Sequence, residues 1–227
     1  YFIKMKTQLN LENKSYKLKQ LKKDEFYHLH NVAKDPRIWE QHPEKDRWKE
    51  EKFKIFFENG LKEKFGFYSI IDKSNNKIIG SSRFYSYDPK ENSIKLGFTF
   101  LIRKYWGSSA NYQIKVIMLN HAFKYVEKVF FDIGHNNIRS RKAIEKIGAF
   151  LALDSKIGNV LYCLTKKNFN LIVTKNEQLS LLSIIAYGCK KHPAYRAHRK
   201  ATGKCHECVK VWEAKCKVVN QSKNYKT

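Results

Sequence analysis

Cys189-x2-His192, twelve residues, then Cys205-x2-Cys208 is the spacing with the most direct chemistry in this chain. Two pairs of soft donors, each pair short enough to sit on one turn, can close a tetrahedron around zinc. His198 or His206 could replace His192 as a donor. A closed four-donor site would stabilise a small fold and would carry out no hydrolysis. Cys163, in an alternating apolar stretch, reads as core, and Cys216 as a spare thiol. Clustered cysteines in a reducing compartment point to metal before disulfide.

The second chemical feature is RKYWGSSANYQIK, residues 103–115. It reads as a turn feeding a helix, with Gly107, Ser108, Ser109 and Ala110 at the junction and Arg103 and Lys104 before it. Backbone N–H groups at such a helix start, from Trp106 to Asn111, can hold a phosphate, and small residues let it approach. Arg103 and Lys115 could add charge. Ser108 and Ser109 would equally serve as ordinary N-caps.

These residues have to be positioned by a fold. The chain has 227 residues, 42% of them hydrophobic, and no apolar run long enough to cross a membrane as a helix. The beginning, YFIKMKTQ, has no signal-peptide core, so a cytoplasmic setting is expected, with Met5 a candidate native start. The formal charge of +24 suits an anionic partner or a solvated lysine-rich surface, and residues 175–227 hold 12 Lys+Arg against 3 Asp+Glu.

Strand signals fall at 16–21, at FGFYSIID and KIIGSSRFYSY around a turn at Lys73–Asn76, and at 93–102, 128–134 and 159–167. Helices are expected after an Asp24 cap up to Asp35-Pro36, over 46–64, from the quoted junction to about Val126, and over 138–148. The central strand–helix–strand run predicts a βαβ unit within a mixed α/β sheet. LSLLSIIAYG reads as a short helix packed on the main body, followed by an appended basic module. The domain division expected is 12–170, a linker or packing helix at 171–186, and a small zinc module at 187–220.

The loop combines with a second motif, NNIRSRKAIEKIGAF from Asn136 to Phe150. With the strand order, they resemble the GNAT superfamily of acetyl-CoA-dependent N-acetyltransferases, especially its RimJ/RimL-like branch, over residues 12–168. Asn137, Ser140, Ala143 and Gly148 match the family's Asn-x-x-Ser-x-x-Ala-x4-Gly pattern, with Ala149 where Phe is usual. The resemblance implies a mixed, mostly antiparallel sheet with flanking helices, and acetyl-CoA as cosubstrate. It places the pyrophosphate on Lys104, Trp106, Gly107, Ser108, Ser109, Ala110 and Asn111, and puts Asn137 on the pantetheine arm. Backbone N–H groups of the strand around Phe98, Thr99, Phe100 and Leu101 would polarise the thioester carbonyl. Ser140 is the candidate acid for the leaving thiolate, with Tyr105 or Tyr162 as alternatives.

The family's glutamate base is missing, because the corresponding region reads Ile157-Gly-Asn-Val160. Asp132, Asp154 and Glu91 are candidate substitutes. The expected activity is acetyl transfer to a primary amine of a protein N-terminus, a lysine or a small molecule, possible targets including ribosomal proteins. The other reading is a non-catalytic adaptor on a degenerate acetyltransferase scaffold. The tail, resembling a zinc ribbon or treble clef, interleaves Lys190, Lys191, Arg196, Arg199, Lys200 and Lys204 with Tyr195 and Trp212. That pattern fits RNA or DNA contact, or protein docking.

Overall fold

A computed structural model describes residues 8–155 and 157–223, the side chains of 221–223 excepted; the proposed start at Met5 lies outside the described residues. The chain divides after Phe169 into two compact units.

In the first unit, β1 (Asn10–Glu12) and β2 (Tyr16–Gln20) form a hairpin. Asn13 Oδ1 closes its turn by accepting the N–H groups of Ser15 and Tyr16, both at 2.8 Å. β1 is too short and polar to show in the sequence pattern, and pairing with β2 defines it. α1 (Phe26–Ala33) is entered through a 3-10 turn at Lys23–Glu25. Asp24 does not cap it as expected: Glu25 reaches back to the Lys22 N–H at 2.9 Å. α2 (Glu50–Leu61) starts later than the sequence reading placed it, because successive turns occupy residues 44–49.

β3 (Phe67–Asp72), β4 (Lys77–Asp88) and β5 (Ser93–Leu101) form an antiparallel meander. α3 (Ala110–Ala122) then crosses to β6 (Lys128–Gly134), which pairs parallel with β5, the βαβ unit expected. α3 ends short of Val126, where the chain tightens so that Tyr125 N–H reaches Ala122 O at 2.9 Å. α4 (Ile138–Glu145) leads to β7 (Phe150–Leu153) and β8 (Asn159–Thr165). β7 escaped the sequence reading because all four of its residues are exposed and carry no alternation. The eight strands lie in the order β1-β2-β3-β4-β5-β6-β8-β7, mostly antiparallel.

Each sheet face has its own core. Trp39, Phe53, Phe56, Phe57, Phe67 and Phe100 pack with α1 and α2 on one side. Ile114, Met118 and Leu119 of α3 are completely buried. β4 and β5 approach so closely at Gly80 that a Cβ there would lie 1.9 Å from the Phe100 carbonyl oxygen.

The second unit holds most of α5 (Lys166–Tyr187) and α6 (His206–Lys223). The short helix expected near residue 180 is the end of α5, and its Leu179 and Leu182 are exposed. Cys189, Ala197, Cys208, Val211 and Ala214 are buried and make a core of very small volume.

Candidate active site and metal centre

β5 and β6 pair only at Ser93–Lys128, Ile94–Val129 and Lys95–Phe130, then part. β6 follows β8 along its whole length, while β5 follows β4, so a wedge opens between them. A bulge bends β5 at this opening: the register with β4 shifts between Ser81–Phe100 and Arg83–Gly97, and Phe98 has φ +51°. A bulge leaves backbone groups unpaired and turns the strand, which suits the carbonyl-polarising role the resemblance implied for this segment. Phe98 and Phe100 face α2, with ring centroids 6.2 and 6.5 Å from Phe56. Thr99 faces α3.

Beyond β5 the chain makes a 3-10 turn at Arg103–Tyr105 and enters α3. Gly107 adopts φ +73°, a conformation suited to glycine. Ser109 is the N-cap residue but makes no cap bond, its hydroxyl accepting from Gln113 instead, while Ser108 Oγ accepts the Ala110 N–H at 3.2 Å. The Trp106 N–H is spent on Arg103 O at 2.9 Å. The N–H groups of Gly107, Ser108, Ser109 and Asn111 have no hydrogen-bond partner among the described residues. The unpaired N–H groups therefore cover less than the full run from Trp106 to Asn111. Arg103 is held by Asp35, Nε to Oδ2 2.5 Å, with Lys104 exposed beside it.

Asn137 is buried and accepts the Ser140 N–H at 3.1 Å, the cap its position suggested. Ser140 itself, half-buried in the first turn of α4, makes no side-chain hydrogen bond among the described residues. Arg139 lies 3.7 Å from the Trp106 ring centroid, joining α4 to the loop before α3; neither residue type announced this contact. The two tyrosines are already committed. Tyr105 donates to Asp72 Oδ2 at 2.6 Å, which raises its pKa. Tyr162 donates to Glu145 Oε1 at 2.6 Å and accepts from Arg141, and burial followed by Glu145 raises its pKa.

A family profile for the acetyltransferase (GNAT) domain matches residues 16–149. The chain belongs to the GNAT acetyltransferases. No curated protein matches it in sequence. Solved structures share its fold. A GCN5-related N-acetyltransferase from Brucella melitensis is 15% identical, with TM-score 0.63, covering 76% of this chain and 84% of its own. A GNAT-family acetyltransferase from Bacillus anthracis is 16% identical, with TM-score 0.59 and coverage of 70% and 99%. Spermidine N-acetyltransferase from Vibrio cholerae, solved with CoA and spermine, is 12% identical, with TM-score 0.56 and coverage of 71% and 99%. This protein is thus an N-acetyltransferase of mixed α/β fold, in a family that uses acetyl-CoA.

In this acetyltransferase the three candidate carboxylates separate clearly. Glu91 meets Lys128 at 3.2 Å at the surface, and Asp154 follows the exposed β7. Asp132, on β6 just past the last parallel pair, reaches across to Lys95 Nζ at 2.7 Å and lies 3.4 Å from the Tyr85 hydroxyl. Tyr85 packs against Phe98 with centroids 5.0 Å apart, and burial followed by Asp132 raises its pKa. Alternation along β6 puts Asp132 on the α2 side and Phe131 on the α3 side. Lys95, Phe130 and Leu161 also line an open recess of about 460 Å³, with Asp88 and Glu91 among its other walls.

Lys115 does not add charge at the loop before α3, the expectation from sequence. It lies on the sheet-facing side of α3, 4% exposed, and donates to Thr99 Oγ1 at 2.7 Å. Burial pushes its ammonium down to about 7.

In the tail of the acetyltransferase, Cys189, His192, Cys205 and Cys208 converge, their donor atoms all within 4.8 Å of one another. Cys189 Sγ lies 3.6 Å from both His192 Nδ1 and Cys205 Sγ, and Cys208 Sγ lies 3.4 Å from His192 Nδ1. A zinc tetrahedron with bonds of about 2.0–2.3 Å has edges of roughly 3.5–3.8 Å, so the donor set fits that ion. His198 and His206 are not in the cluster. Glu207 accepts the Lys190 N–H at 3.1 Å and lies 3.4 Å from Cys189 Sγ, bracing the first knuckle. Among the described residues no helix is long and apolar enough to cross a membrane.

Proposed function

We propose that the enzyme acetylates a primary amine, of a protein N-terminus, a lysine or a small molecule, by direct attack on acetyl-CoA held in the wedge, and that it belongs to the RimJ/RimL-like branch. The observation that carries this reading is the divergence of β5 and β6 together with a helix start, reached directly from β5, whose amides are unpaired. Gly107, Ser108, Ser109 and Asn111 would donate to the pyrophosphate, and Asn137 would meet the pantetheine arm. The bulge at Phe98–Thr99 would turn a backbone N–H toward the thioester carbonyl. Ser140 would donate a hydrogen bond to the sulfur.

Asp132 is the base in this reading. It stands beside Lys95 just past the last parallel pair of β5 and β6, and it would take the proton the attacking nitrogen loses. Lys95, 2.7 Å away, orients the carboxylate. Carboxylates in the recess suit a cationic amine.

The tail residues Cys189, His192, Cys205 and Cys208 would hold a structural zinc ion, which supplies only cross-linking. The basic residues around them would contact RNA, DNA or an acidic protein face, bringing the enzyme to its acceptor in the cytoplasm. Release of CoA thiol from acetyl-CoA, measured with a panel of N-terminal peptides, lysine peptides and polyamines, tests the activity. Release with one amine class supports the reading. Tight acetyl-CoA binding without release for any amine would reject amine acetylation.

A further inference from the structure

We propose that Lys115 supplies the proton to the CoA thiolate as it leaves, a role resting on the reading that the thiol arm occupies the wedge. The ammonium stands inside that wedge on the α3 side. Thr99 of β5 is 2.7 Å from Nζ, and the ring of Phe131 on β6 has its centroid 5.8 Å away. The two contacts lie on the two strands that diverge, both beyond the last parallel pair at Lys95 and Phe130. Nothing about the fold requires a cation there, since the neighbouring α3 positions Ile114, Met118 and Leu119 are apolar and completely buried.

No carboxylate pairs with Lys115 among the described residues. Thr99 is backed by Ser82, whose Oγ lies 2.6 Å from Thr99 Oγ1, and Phe131 faces it from β6. His121, farther along α3, faces Phe84 and Tyr125 instead. Glu145 of α4 is engaged by Tyr162. Asp132 points to the opposite face of the sheet and is held by Lys95. A lone buried ammonium is costly, and a thiolate formed beside it would relieve that cost.

The alternatives are less suited to the step. Tyr105 and Tyr162 already donate their hydroxyl protons to carboxylates. Ser140 can hydrogen-bond to sulfur but brings no charge. As the acceptor nitrogen bonds to the carbonyl carbon, the C–S bond breaks and its electron pair leaves on sulfur. Lys115 transfers a proton from Nζ to that sulfur, giving neutral thiol and neutral lysine. The proton lost by the acceptor nitrogen passes to Asp132 and then to solvent, and solvent reprotonates Lys115 before the next turnover. Base and acid thereby stand on opposite faces of one sheet, each beside the atom it serves.

The test uses the full chain with CoA, following ionisation of the bound thiol by its ultraviolet thiolate absorbance while calorimetry reports binding. In the wild type the bound thiol should ionise about tenfold more readily than free CoA, one unit lower in pKa. Lys115→Met should remove that shift, and Lys115→Arg should retain it. In turnover, Lys115→Met should lower kcat roughly 10²-fold with the KM for acetyl-CoA little changed, and Lys115→Arg, a cation that gives up no proton, should not restore kcat. Met replaces a buried charge with an apolar chain of similar length, so folding is retained, as thermal unfolding will verify. An equal thiol pKa in wild type and Lys115→Met, with CoA bound to both, overturns the assignment alone. Failure of the wild type to bind CoA overturns it together with the reading it rests on.

Discussion

Gly107 places two demands on one position. Its φ of +73° costs any other L-residue about 1–2 kcal/mol, and its N–H is one of the unpaired donors at the start of α3. Gly107→Ala should lower stability by about 1–2 kcal/mol on that strain, read in denaturant melts. Gly107→Glu adds a carboxylate at the proposed pyrophosphate position and should abolish binding in calorimetry. Asp132→Asn should lower kcat by about 10²–10⁴-fold without changing acetyl-CoA affinity; an unchanged kcat would remove it as base. Lys115 offers a check that needs no substrate. Its pKa near 7, against 10.5 ordinarily, means that unfolding takes up a proton between those values. Stability should therefore rise as pH climbs above 7 and be lost as pH falls back through it. Lys115→Met should flatten that slope and raise stability at neutral pH by on the order of 2 kcal/mol, read in urea melts at several pH values.

At the scale of elements, the bulge in β5 and the close approach at Gly80 act together. Gly80 lets β4 lie against Phe100, and the register slips just beyond, at Phe98. Gly80→Ala should push the strands apart, lower stability by about 1–3 kcal/mol, and reduce kcat through displacement of the bulge. Denaturant melts and thiol-release kinetics would read both effects, and a variant with wild-type stability would refute the close-contact argument. Much of this level was legible beforehand. β3, β4, β5, α3 and β6 follow from hydrophobic period and turn residues, since each is long enough for its pattern to rise above local noise. β1 and β7 were not legible, because three or four residues held only by a neighbour leave no periodic trace. The start of α2 was misplaced for a related reason: DRWK continues the apolar spacing, yet the backbone there turns toward the His42–Arg47 contact instead.

At the scale of the whole molecule, a domain with its own aromatic cores is joined in sequence to a unit that buries little more than Cys189, Ala197, Cys208, Val211 and Ala214. So small a core needs a cross-link. Protein purified without chelator should carry one equivalent of zinc, and chelation should lower helix content, with loss of the α6 signal in circular dichroism. Substoichiometric zinc in such protein would reject the site. Cys205→Ala should reduce zinc retention, whereas Cys216→Ala should not.

The sequence by itself determined the βαβ unit, the glycine-and-serine junction before α3, the Asn137 cap and the four residues of the Cys/His cluster. Each is a local pattern or a fixed spacing along one stretch of chain. Only the tertiary structure decided that Lys115 turns inward to Thr99, that Asp132 rather than Glu91 or Asp154 stands at the wedge, and that Tyr105 and Tyr162 are occupied by Asp72 and Glu145. Those choices depend on which face of a strand or helix meets which distant partner. Chain spacing carries no record of it, because the direction of a side chain is set by the packing of segments far apart in sequence.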